Sequence, residues 1–294
     1  MKKELSCLLI KSLLALFFIF YGLTPAVLAQ EEGMSAQELH KRLEYLYRTA
    51  MEYENQGKYS NAIYYYQAIL NLDPTQVQPP KRIAECREKV KAQTEPIYIE
   101  VKSLYARGEY IQAQEKILTL LDVDSANKTY RNLYTNLQEA ADIFTVIDGD
   151  DKVSVILRKG VCYYLDKPQD IRLAYNITRY ATELKPDNLK AKNFLRLLDE
   201  EYSSITQKEK PIKGMNFIEQ SLFVALNNIY EGRYDLAISN CEDVLLVESD
   251  NLLALKRLGS AYYAFGNKTK AREIWERALK IKPDDKELND FLKK

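Results

Sequence analysis

Between Leu255 and Pro283 the apolar and small residues recur twice at helical spacing, with a glycine between the two runs. Leu255, Leu258, Tyr262 and Phe265 are three or four residues apart, so they share one face of a helix that ends near Gly266. Ala271, Ile274, Trp275, Ala278 and Ile281 do the same on a second helix, which stops before Pro283. Gly259, Ala271 and Ala278 are small enough to let the two helices approach, and the aromatic side chains fill the space between them. One hairpin cannot bury such a face by itself. The pattern therefore predicts further copies that stack on it.

Those copies are present. The same turn stands at Gly232-Arg233-Tyr234-Asp235-Leu236-Ala237, and the interval from Gly232 to Gly266 is 34 residues. Gly57-Lys58-Tyr59-Ser60-Asn61-Ala62, with Tyr66 and Pro74 behind it, keeps the spacing, as does Gly108-Glu109-Tyr110-Ile111-Gln112-Ala113. A more degenerate copy runs from Gly160 to Pro186: Ala174 and Ala181 keep their places, and Lys167-Pro168-Gln169-Asp170 replaces the Gly-x-Tyr turn. Each glycine stands where the chain reverses between helices, a place that favours the left-handed backbone. The unit Leu258-Gly259-Ser260-Ala261-Tyr262-Tyr263, Gly266, Ala271, Trp275, Ala278, Pro283 resembles the tetratricopeptide repeat. The resemblance covers roughly two thirds of the chain beyond its N-terminal leader, and it speaks to fold rather than to chemistry.

The expected fold class is all-α: a tetratricopeptide-type helical-hairpin solenoid with extra single helices between the early repeats. Hairpins are predicted at 36–71, 96–122, 153–184, 215–248 and 251–281. Single amphipathic helices are predicted near 79–93, 127–143 and 188–205, and a last helix, from Asp284 to Leu292, would cap the array. Polar breaks at 147–151 and 207–211 punctuate the chain. The domain reading is a leader at 1–29, a degenerate repeat region at 30–206, a linker at 207–214 and a tandem-repeat region at 215–294.

Lys2, Lys3 and Lys11, the apolar run Leu13 to Tyr21 and the small-residue site Val27-Leu28-Ala29 have the order of a secretory signal peptide cleaved after Ala29. Its apolar core is shorter than the ~20 residues that span a bilayer. Cys7 precedes that core, where lipid attachment would not serve. The expected location is thus outside the cytoplasm, in a bacterial periplasm and with no membrane attachment after cleavage; the alternative is an uncleaved membrane anchor. Of the 42 basic and 42 acidic residues, cleavage removes Lys2, Lys3, Lys11 and Glu4, leaving a net charge of about −2. That balance provides no basic face for nucleic acid.

No residue pattern carries catalysis, a metal or a cofactor. His40 is the single histidine, with no cysteine pair at ligand spacing. Cys86, Cys162 and Cys241 fall in apolar helical patterns and read as small core residues. Asp148, Asp150 and Asp151 lack the spacing of a calcium loop. Asn127, Asn176 and Asn267 begin glycosylation-type triplets too common to carry weight. The chain also holds 22 tyrosines. Tyr59, Tyr66, Tyr110, Tyr234 and Tyr262 take packing positions. Tyr47, Tyr98, Tyr105, Tyr163, Tyr230 and Tyr263, with Lys102, Lys159 and Lys256, lie on first helices, on the side that in the resembling family lines a concave groove. Tyrosine offers apolar area and a hydrogen-bonding tip at low entropic cost. The reading is a non-enzymatic scaffold whose Tyr/Lys groove takes an extended peptide or helix from a protein partner. The alternative is a carbohydrate-binding module or enzyme that uses the tyrosines as stacking platforms.

Overall fold

The computed structural model describes residues 34–147, 149–166 and 169–292. The expected leader, Asp148 of the acidic turn and Lys167-Pro168 of the degenerate turn lie outside the described residues. Among the described residues every regular element is helical. The helices are α1 (Ala36–Asn55), α2 (Tyr59–Leu72), α3 (Gln78–Ala106), α4 (Tyr110–Val123), α5 (Lys128–Ile143), α6 (Lys152–Leu165), α7 (Ile171–Leu184) and α8 (Leu189–Glu201). They continue with the short α9 (Ser203–Thr206), a 3-10 turn (Gln207–Glu209), α10 (Phe217–Tyr230), α11 (Tyr234–Val247), α12 (Leu252–Ala264), α13 (Lys268–Ile281) and α14 (Lys286–Leu292). The fold is all-α and of helical-hairpin repeat type.

Four turns are built alike. Gly57, Gly108, Gly232 and Gly266 all have φ between 73° and 92°. In each, the glycine N–H bonds back to the carbonyl three residues earlier and the next N–H to the carbonyl five residues before it, as in Lys58 to Tyr53 and Arg233 to Asn228. This is the Schellman geometry, which satisfies carbonyls that a helix end leaves open. The degenerate copy turns differently. There α6 stops at Asp166, Gln169 donates to the Tyr164 carbonyl at 2.7 Å, and Asp170 accepts from Leu173 N to cap α7. Asp151, in the acidic turn, is the N-cap of α6 and accepts from the N–H groups of Val153 and Ser154.

The chain forms two compact units, one of residues up to Ile99 together with Thr119–Lys128, the other of Glu100–Leu118 and Thr129 onward. In the first, α1 and α2 pair over Leu46, Ala50, Ala62, Tyr66 and Ile69, with Ile83 and Cys86 of α3 closing the core. Glu54 is buried there. It accepts from the Tyr66 hydroxyl at 3.1 Å and lies 2.7 Å from Arg82 Nη2, so its charge is compensated.

In the second unit Tyr110, Phe144, Phe194, Tyr164 and Tyr202 form a chain of edge-to-face and tilted rings with centroids 5.5–6.3 Å apart. Farther on, α10 pairs with α11 and α12 with α13, and α11 packs on α12. Leu255, Ala271, Trp275, Ala278 and Leu288 share a core, and Phe291 of α14 stacks on Trp275 at 4.8 Å. The closing helix therefore covers the last hairpin. Residues 207–214 lie inside this unit.

One expectation is corrected. Residues 79–93 are not a separate helix, because α3 runs unbroken through Pro96 to Ala106. Proline removes one ladder hydrogen bond and crowds the preceding turn. Here Ala92 and Pro96 both lie on the exposed side, so the carbonyl left without a donor meets water, while Val90, Thr94, Val101 and Leu104 hold the opposite side in cores. Residues 188–205 are also split, into α8 and α9, at Tyr202.

Candidate protein-interaction site

The nine residues expected to line a groove meet different fates. Tyr47 is half-buried on α1, its ring edge-on to Tyr66 and its hydroxyl donating to Gln76 Oε1 at 3.0 Å. Around it, one face of α1 opens a cleft of about 710 Å³, with Leu43, Tyr47 and Met51 as an apolar stripe and His40, Glu44 and Arg48 beside it. His40 is exposed. Tyr98 is half-buried on α3 and Lys102 is exposed.

In the second unit, Tyr230 ends α10 and is 80% exposed. Tyr163 is half-buried on α6. Burial pushes its hydroxyl pKa up, and the nearby carboxylates of Asp170, Asp243 and Asp166 push the same way. Tyr263 lies against Trp275 with centroids 5.7 Å apart, and Lys268 Nζ sits over the Tyr263 ring, 5.3 Å from its centroid.

Three residues are engaged within the chain itself. Tyr105 is only 2% exposed, and its hydroxyl donates to Asp166, so it is a core residue. Lys159 donates to the Leu246 carbonyl at 2.8 Å, where it serves the last turn of α11. Lys256 is held by Asp285 at 3.2 Å and by Glu287, both at the start of α14. These lysines are structural ties between elements.

Sequence reading missed Leu43, Arg48 and Met51. The signal was available in part: Leu43 and Met51 stand four residues on either side of Tyr47, with Arg48 next to it, yet an apolar stripe on an outer helix looks the same in a sequence whether or not another helix covers it.

The cysteines behave as small core side chains. Cys86 and Cys241 are fully buried, and burial pushes the thiols of Cys162 and Cys241 from an ordinary 9.0 to about 12. Among the described residues no group of three or more His, Cys, Asp or Glu side chains is arranged to hold a metal ion. No helix among them is long and apolar enough to cross a membrane.

Antiparallel helical hairpins closed by repeated glycine turns define the class of α-helical repeat proteins. Within that class, tetratricopeptide-repeat family models match residues 229–294 and residues 43–76. The chain carries tetratricopeptide repeats in these two segments. No curated protein matches it. The copy at 96–122 lies outside both matches, and its Gly108 turn nonetheless has the same hydrogen bonds as the others. Repeats of this family generally bind protein partners and generally carry no enzymatic activity.

Proposed function

We propose that this chain is a non-enzymatic scaffold that binds an extended peptide or helix of a protein partner along the open faces of its first helices. Tyr47 on α1 is the anchor on the first unit, and Tyr230 on α10 is a separate anchor on the second. The observation that carries the reading is the α1 cleft. Its apolar stripe is open, and its central tyrosine is already oriented by Gln76, so little side-chain freedom is lost when a partner docks. A few such aromatic anchors supply most of the affinity of a typical interface. Tyr98, Lys102, Tyr163 and Tyr263 belong to the same proposal as flanking contacts. The balanced charge favours a partner read by shape and aromatic contact over a polyanion.

The basic, apolar and small-residue order of residues 1–29 supports export to a bacterial envelope, with action in the periplasm. Mass analysis of the protein recovered from the envelope tests this: a mature chain that begins at Gln30 agrees with it, and an intact N-terminus in a membrane fraction overturns it.

For binding, residues 30–294 serve as bait in envelope extracts beside a Tyr47→Ala, Tyr230→Ala double variant of unchanged helicity. A protein captured by the parent and lost from the variant is the expected result. Retention by both overturns the assignment of the anchors, and capture of glycans in place of protein overturns the scaffold.

A further inference from the structure

The outer face of α1 carries more than an apolar stripe. Beside Leu43, Tyr47 and Met51 run Lys41, Glu44, Arg48 and Glu52, all exposed and alternating in sign. They stand three or four residues apart, so they follow one another along one side of the helix. Neighbours in such a run are spaced for ion pairs within the helix, as Arg82 with Glu85 and Lys270 with Glu273 form elsewhere. Among the described residues none of these four charges has an ion-pair partner in the chain. The cleft beside them is open, and no other helix covers it among the described residues.

The order of the charges says what fits there. Taken from Lys41 to Glu52 the signs are positive, negative, positive, negative; taken from the other end they are inverted. The run is therefore complementary to itself in the antiparallel sense. A two-fold axis level with Leu46 sets Glu44 of each copy beside Arg48 of the other, and Lys41 near Glu52. In an antiparallel pair related by such an axis, the same flank of each helix lies against its counterpart. One arrangement thus pairs the charges and brings the two Tyr47 side chains together, with Leu43 and Met51 on either side of them. α1 has 20 residues, about 30 Å of helix. One such face against another covers less than the ~800 Å² per partner of a stable complex, so the pairing is reversible and of micromolar strength or weaker.

We propose that the occupant of the α1 face is α1 of a second copy of this chain, lying antiparallel, with Tyr47 at the two-fold axis and Glu44 and Arg48 paired across it. The inference rests on the reading of the α1 cleft as an open binding face and names its partner. Each first hairpin would then gain a covering helix, as the last hairpin has in α14.

The test is sedimentation of residues 30–294 from low-micromolar to millimolar concentration, beside Glu44→Lys, Arg48→Glu and the double variant. The parent is expected to pass reversibly from monomer to dimer. Each single variant sets like charges against each other twice across the axis and should weaken the dimer about tenfold or more. The double variant exchanges the two charges and should regain parental self-association. An equimolar mixture of the two single variants should form a heterodimer, because opposite charges then meet at both positions. The substituted side chains are exposed, so helicity should keep its parental value. A chain that stays monomeric, a dimer indifferent to the single charge reversals, or single variants whose mixture does not pair overturns the proposal. If the monomer still captures a foreign protein through Tyr47, the face belongs to that protein and the scaffold reading stands without self-pairing. A charge-sensitive dimer that captures no other protein supports the inference and overturns only the wider scaffold reading.

Discussion

Two glycines do work at the residue scale that no other side chain could take over. Gly259 faces the indole of Trp275, and a Cβ at this position would collide with the ring. Gly259→Ala is expected to lose about 1–3 kcal/mol by overpacking, seen as a lower urea midpoint. Gly108 combines φ of +86° with the Ile147 carbonyl 2.5 Å from where a Cβ would stand, whereas Gly57 has φ of +73° and open space around it. Gly57→Ala should therefore cost only the left-handed strain of about 1–2 kcal/mol, and Gly108→Ala distinctly more. Equal denaturation midpoints for the two would contradict that ranking. The buried thiols of Cys162 and Cys241 give a pH dependence. The folded chain keeps their protons to about 12, while the unfolded chain releases them near 9.0. Their contribution to stability is full below pH 9.0 and falls as pH rises toward 12. Thermal melts between pH 8 and pH 11 should show that decline, and Cys241→Ala should shallow it.

At the scale of elements, α3 is the anomaly. Pro96→Ala restores a ladder bond on an exposed face and is expected to stabilise the chain, by up to about 3 kcal/mol, read from the melting temperature. The helical hairpins were legible because the turn glycines and the 3.6-residue apolar period are local properties. The continuity of α3 was not, since Pro96 breaks helices in general and is tolerated here only through the exposure of Ala92 and Pro96. The candidate site was legible as a set of helix faces and not as a set of free side chains. The fate of Tyr105 is decided by Asp166, that of Lys159 by a carbonyl of α11 and that of Lys256 by α14, all far along the chain. Asn176, read in sequence as part of a common triplet, lies buried against Glu209 for the same reason.

For the molecule as a whole, repeat architecture makes stability a matter of neighbours. Leu288 is fully buried in the last core, Phe291 covers Trp275, and Lys256 pairs with Asp285. Ending the chain at Lys282 should therefore loosen α12 and α13 most. Amide exchange should rise there and stay at its parental rate in α1 and α2; a uniform rise along the chain would contradict nearest-neighbour behaviour. The stack of Phe291 on Trp275 has an optical consequence. Trp275 is the chain's only tryptophan, so indole emission reports on the final repeat alone. A red shift would announce that the end of the array has opened while circular dichroism still records helix elsewhere, and the lag between the two signals would time the spread of unfolding inward from that end.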